Sequence, residues 1–259
     1  MRFLRGDGPV LRIGHRGAPA LAPENTLHSF ERAIELGVDC IELDVLSLAD
    51  GTLVVAHSDD LAEVTHGATA GLVEERTLAE LRTLAPDLPT LDEALDFIAA
   101  RAVGVQVDHL LLGQEAEVAA ALARHGLAER SLVVSFHGES LRQLHGLAPE
   151  LALGLTYPFD RRGVARRRLL TPAVIAALLV MRRSLPYTIP ARLARAGALV
   201  ATLHSFVVSP AVIDRCHRLG VAVFAWTVND RALAERLDRA GIDGIITDDP
   251  TIFEGTLPT

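Results

Sequence analysis

Short runs of branched and apolar residues recur along this chain, and most are followed by a segment whose apolar residues fall on one face of a helix. That alternation limits the fold more than any other feature. The strand-like runs are residues 10–13, 40–46, 104–111, 131–136, 151–157, 199–204, 221–228 and 243–247. Helical spacing is read at 114–125, 139–147, 172–181, 210–219 and 231–240. Another helix starts at Pro23-Glu24-Asn25-Thr26, with Asn25 or Thr26 as cap, and stops at Gly37. Strands apolar along their whole length, separated by amphipathic helices, require a parallel sheet covered by helices. Eight such units within 259 residues predict a single (β/α)8 TIM barrel over residues 1–259; an open doubly wound sheet is the alternative.

Residues 52–89 interrupt the repeat and read as a short insertion after the second strand. After the Asp50-Gly51 turn comes an extended run at 52–56, then a polar, aperiodic stretch at 58–76, then helical spacing at 77–84. Helical order resumes at 90–100, where Thr90 and Glu93 have the spacing of a capping box.

Chemistry concentrates in residues 14–57. Glu42 and Asp44 interrupt the apolar run 40–46, and their i, i+2 spacing puts both side chains on one face of a strand. Buried carboxylates are costly without a cationic partner. One such partner is Arg16; a hard divalent ion with oxygen ligands satisfies both carboxylates together. His15 and His57 stand at the ends of flanking strands, where they can serve as base and acid near neutral pH.

These residues form a longer pattern: His15-Arg16-Gly17, Pro23-Glu24-Asn25-Thr26, Glu42-x-Asp44-Val45, Asp50-Gly51, His57, Ser135-Phe136, Trp226-Thr227-Val228-Asn229 and Gly244-Ile245-Ile246-Thr247-Asp248. In that order, from about residue 13 to 250, the chain resembles the glycerophosphodiester phosphodiesterases. The resemblance implies metal-dependent hydrolysis of glycerophosphodiesters to glycerol 3-phosphate and an alcohol, with a histidine acid/base pair at His15 and His57. It implies one divalent ion, Mg2+ or Ca2+, on Glu42, Asp44 and Asp108, the last being the family's third-strand acid. It places Arg16 beside the phosphate, suggests site contact for Glu24 and Asn25, and leaves Trp226 between core packing and the pocket for the alcohol moiety. The nucleophile is water or the glycerol 2-hydroxyl.

The chain departs from the family pattern in two places. Many members carry a Lys two residues beyond the third-strand acid, where this chain has Leu110, so the site is expected to lack that cation. After His57 the usual Asp is Ser58, and a later Arg is Glu63. Two other readings share the motifs: a phospholipase D-like activity on lysophospholipids, and a weakened barrel that only binds phosphate metabolites.

Composition removes other classes. A formal net charge of −8 does not suit a nucleic-acid partner, which calls for clustered Lys and Arg. Arg161, Arg162, Arg166, Arg167 and Arg168 follow the fifth strand and read as a solvated cluster, with steering of an anionic substrate as the alternative. Cys40 and Cys216 lack metal-ligand spacing and read as buried thiols. Residues 1–17 contain no apolar stretch of signal-peptide length, and the apolar run 173–181 is far short of a membrane span, so a cytoplasmic protein acting on a small molecule without stable membrane insertion is expected. Oligomeric state has no signature in the sequence.

Overall fold

In the computed structural model, residues 3–65, 67–109, 112–159 and 171–255 are described. The expectations for Leu110 and for the arginines at 161, 162, 166, 167 and 168 lie outside them. Eight strands run parallel and close on themselves: β1 (Leu11–Gly14), β2 (Cys40–Ser47), β4 (Gly104–His109), β5 (Ser131–Ser135), β6 (Ala152–Tyr157), β7 (Val200–His204), β8 (Ala222–Trp226) and β9 (Gly244–Thr247). β1 pairs with both β2 and β9, which makes the sheet a barrel rather than an open sheet. The remaining strand, β3 (Leu53–Val55), is antiparallel to β2.

Alternation along the strands separates two apolar layers. Ile13, Cys40, Leu132, Val134, Val200 and Phe224 are buried together as one cluster, while Ile41, Leu43, Val105, Val107, Val133 and Val223 belong to a larger one that also takes in helix residues. The first set lines the barrel lumen and the second meets the helices. Burying a side chain such as Phe224 contributes about 1.5–3 kcal/mol. Its ring uses space next to Gly244, where an added Cβ would stand 2.5 Å from Phe224 Cδ1.

Helices α1 (Leu27–Glu35), α4 (Leu91–Ala99), α5 (Glu115–Arg124), α6 (Gly138–Leu147), α7 (Thr171–Ala196), α8 (Pro210–His217) and α9 (Arg231–Arg239) cover the barrel. Thr26 caps α1 by accepting from Ser29 N, and Thr90 and Glu93 form the expected capping box at α4. The insertion holds β3, α2 (Leu61–Val64) and α3 (Leu78–Leu84). Its residues Val54, Leu61, Val73, Leu81 and Leu88 bury one another against Leu46 and Leu48 at the end of β2. The four-residue α2 falls in the stretch read as aperiodic. Asp60 starts it by accepting from Ala62 N.

The structure corrects one element. The spacing at 172–181 predicts a short helix, whereas α7 has 26 residues and contains Pro186 and Pro190. Each proline removes a backbone donor and ordinarily breaks a helix. Here Leu185, Ile189, Leu193 and Ala196 recur at helical spacing and are fully buried, so packing overrides the local preference. Among the described residues, no helix is long and apolar enough to cross a membrane.

Candidate active site

The strand register brings the three carboxylates together. Asp44 on β2 is the direct neighbour of Asp108 on β4, and Glu42 lies two residues earlier on the same face as Asp44. Glu42 and Asp44 are 2% and 1% exposed. One oxygen from each of Glu42, Asp44 and Asp108 lies within 4.8 Å of the others. Burial first, then the charges of Asp44 and Asp108, push the Glu42 carboxyl well above its ordinary range. Burial and the Asp44 charge do the same to Asp108.

Among the described residues, Arg16 is the cation that pairs with this cluster. Its backbone N–H donates to Glu42 Oε2 at 2.8 Å, its Nε lies 3.0 Å from Asp44 Oδ2, and its Nη1 donates to both oxygens of Glu24 at 3.2 and 3.0 Å. The turn that aims it is strained, with φ of 54° at Arg16 and 57° at Asn25. Hydrogen bonds to the Arg16 carbonyl from Asn25 N at 3.1 Å and Ser29 Oγ at 2.9 Å hold the turn closed. Gly17 permits it, because a Cβ there would fall 2.4 Å from Ser29 Oγ. Asn25 is buried and donates to Asp44 Oδ2 at 3.0 Å. It orients a carboxylate rather than facing the central cavity, and Glu24 stands at the rim paired with Arg16.

One guanidinium does not neutralise three buried carboxylates. Asp108 Oδ1 is buried without a hydrogen-bond partner. An all-oxygen donor set with excess negative charge and an orphaned oxygen fits a hard divalent cation.

A cavity of about 70 Å3 at the C-terminal end of the barrel is lined by His15, Arg16, Glu42, Asp44, His57 and Asp108, with Trp226 and Phe136 beside them. His15 Nδ1 is 2.5 Å from Asp248 Oδ1. A carboxylate can only accept at that contact, which puts the proton on Nδ1 and leaves Nε2 for the cavity. Burial alone would raise the Asp248 carboxyl, but His15, Asn229 and Arg16 outweigh it and hold the group below its ordinary range. Asn229 fixes Asp248 twice, donating from Nδ2 to Oδ2 at 2.6 Å and accepting from Asp248 N at 2.8 Å. Burial is the largest influence on His57 and favours its neutral form, against the pull of Asp44.

Trp226 donates from Nε1 to the Thr202 carbonyl at 3.2 Å and meets Phe136 edge-on at 6.1 Å, so its ring is both packed and cavity-lining. Cys40 and Cys216 are buried free thiols. Burial raises both, Cys216 to about 12, which leaves them inert.

All the expected site residues therefore lie in or against one centre. Sequence reasoning missed the roles of Asp248 and Asn229, and did not single out Gln106, Thr156 and Thr202. Gln106 Oε1, Thr156 Oγ1 and Thr202 Oγ1 line the cavity, buried without hydrogen-bond partners. Their signal was a polar residue on the inward face of an otherwise apolar strand, as Gln106 is two residues before Asp108.

Fold and site define a TIM-barrel enzyme whose catalytic face carries an acidic cluster able to hold a metal ion beside two histidines. Residues 15–252 match the glycerophosphoryl diester phosphodiesterase family. The chain belongs to that family. It is 33% identical over 257 residues to a glycerophosphodiester phosphodiesterase of Caldanaerobacter subterraneus subsp. tengcongensis, covering 93% of this chain and 95% of the relative. It is 28% identical over 255 residues to one from Bacillus altitudinis, covering 92% and 94%. The solved structure of an Oleispira antarctica phosphodiesterase in complex with the product sn-glycerol-3-phosphate superposes with a TM-score of 0.73 at 26% identity, covering 93% of this chain and 94% of that one.

Proposed function

We propose that the protein hydrolyses glycerophosphodiesters to glycerol 3-phosphate and an alcohol, with a divalent ion on Glu42, Asp44 and Asp108 and with His15 and His57 moving the protons. The observation that carries this reading is the orphaned Asp108 oxygen in a buried three-carboxylate cluster that shares one cavity with both histidines. The donor set favours Mg2+ or Ca2+. Such an ion supplies Lewis-acid neutralisation of the phosphate oxygens as negative charge builds on them. The remaining work belongs to side chains of this chain. Arg16 places a planar cationic fork at the edge of the carboxylate cluster, suited to a phosphate oxygen. One histidine accepts the nucleophile's proton and the other protonates the departing alkoxide. The neutral form that burial favours suits His57 to the first task. Asp248 holds His15 in the tautomer that presents Nε2, as a carboxylate does for a catalytic imidazole elsewhere.

The products test the proposal. Incubation of glycerophosphoglycerol, glycerophosphoethanolamine and a lysophospholipid with the protein and Mg2+ or Ca2+, followed by phosphorus NMR, should show glycerol 3-phosphate from the first two. A cyclic glycerol phosphate as transient would identify the 2-hydroxyl as nucleophile, and its absence would favour water. Release of head-group alcohol from the lysophospholipid alone would instead establish the phospholipase D-like reading. Absence of any release with intact binding would leave a phosphate-metabolite-binding barrel.

A further inference from the structure

The chain has eight phenylalanines, two tyrosines and one tryptophan, and four of these residues stand in one sector of the barrel mouth. Phe136 follows β5, Tyr157 ends β6, Phe159 lies two residues further on, and Trp226 ends β8. The rings form a connected row. His204 meets Trp226 at 5.2 Å, Trp226 meets Phe136 at 6.1 Å, Phe136 stacks on Phe159 at 5.0 Å, and His137 meets Phe159 at 5.2 Å. Phe159 is 43% exposed within this row.

This row leads out of the catalytic cavity into a second one of about 420 Å3. Phe136 and Thr156 line both, so the two adjoin one another. Leu112, Leu155, Tyr157, Phe159 and Met181 also line the second cavity. Among the described residues, Glu139 and Arg192 are the charged ones in its lining, and Arg192 lies over the Tyr157 ring at 4.9 Å. A third cavity lies next to His57 and, among the described residues, has no Phe, Tyr or Trp in its lining. It measures about 160 Å3 and sets the carboxylates of Glu24, Glu63 and Asp87 among aliphatic residues such as Val64, Leu84 and Leu88.

A phosphodiester gripped at its phosphate sends one ester arm to each side. A polyol arm finds hydrogen-bond acceptors on the flank of Glu24 and Glu63, whereas an apolar arm finds rings and thioether on the other. We infer that the cavity lined by Phe136, Phe159 and Met181 is the subsite for the departing alcohol, and that it selects diesters whose alcohol has an apolar body over those whose alcohol is a small polyol. The inference rests on the phosphodiesterase reading above and adds the direction in which the substrate lies and the class of alcohol preferred.

Two substrates with primary alcohols test it: glycerol 3-phosphate esterified with 2-phenylethanol, and glycerophosphoglycerol. Phe159→Ala should lower kcat/KM for the phenylethyl diester by about fivefold more than for glycerophosphoglycerol, and Phe159→Leu should recover part of the difference. A ratio that Phe159→Ala leaves where it stands in the wild type overturns the subsite. Binding gives a second readout that does not depend on turnover. In His57→Ala, the fluorescence of Trp226, the sole tryptophan, reports the affinity of each diester. Tighter binding of the phenylethyl compound, weakened by adding Phe159→Ala, supports the subsite; equal affinities overturn it. If the wild type hydrolyses neither compound, the phosphodiesterase reading fails, and the affinity ratio still decides what the aromatic cavity accepts.

Discussion

In the proposed catalytic centre, Asp248 acts through its contact with His15. It orients His15 from the far end of the chain, 233 residues away, and Asn229 in turn orients it. Asp248→Asn should keep the fold and the affinity for substrate while lowering kcat by about 10²-fold, because an amide can offer His15 Nδ1 the wrong hydrogen-bond partner. Combining it with His15→Ala should cost little more than His15→Ala alone. A changed KM with constant kcat, or fully multiplicative losses, would separate Asp248 from the histidine. The carboxylates make a prediction in the opposite sense. Glu42 and Asp108 titrate well above their ordinary range in the folded protein, near 4 in an unfolded chain. Above about pH 4 the ion-free fold thus retains protons that the unfolded chain has lost, and its stability falls as pH rises through that window. An ion binds the deprotonated carboxylates and offsets the loss. Mg2+ or Ca2+ should therefore raise Tm more at about pH 8 than at about pH 5.5, and should do nothing in a Glu42→Gln, Asp108→Asn double variant. An equal shift at both pH values, or one that the double variant keeps, would place the ion elsewhere.

At the scale of elements, the strands and most helices could be read from the sequence because burial writes itself into their composition. Apolar runs mark the parallel strands, Thr26 and the Thr90–Glu93 pair mark helix starts, and the i, i+2 spacing of Glu42 and Asp44 survives as a shared inward face. What the sequence hid depends on closure of the barrel. The contact of Asp248 with His15 exists only because β9 pairs with β1, and the aromatic row only because β8 comes to face β5 across the mouth. The length of α7 was hidden by Pro186 and Pro190, whose local effect is overruled by the face that buries Leu185, Ile189 and Leu193. That explanation has a test within one helix. Ile189 is 0% exposed and Tyr187 is 86% exposed. Ile189→Ala should cost about 2–5 kcal/mol in urea unfolding, and Tyr187→Ala less than about 0.5 kcal/mol. Similar costs at the two positions would mean that packing does not hold the C-terminal half of α7 in place.

On the scale of the whole molecule, the barrel separates stability from chemistry. Its lumen is filled by apolar side chains below, Phe224 among them, and the upper inward positions carry the carboxylates and histidines. The insertion contributes to both parts, since it packs its own apolar cluster on the end of β2 and delivers His57 to the cavity. The chain carries a net charge of −8, so the proposed anionic substrate depends on local cations, and Arg16 and the proposed ion supply attraction at close range. The ion is therefore the point on which the account depends. The most direct measurement is glycerol 3-phosphate release from glycerophosphoglycerol by wild-type protein after exhaustive chelation, then after adding back Mg2+ or Ca2+, with the Glu42→Ala, Asp44→Ala double variant alongside. Loss of release on chelation, recovery on adding one of the two ions, and no recovery in the double variant are the predicted results; undiminished release from the chelated wild type or from the double variant would contradict the account.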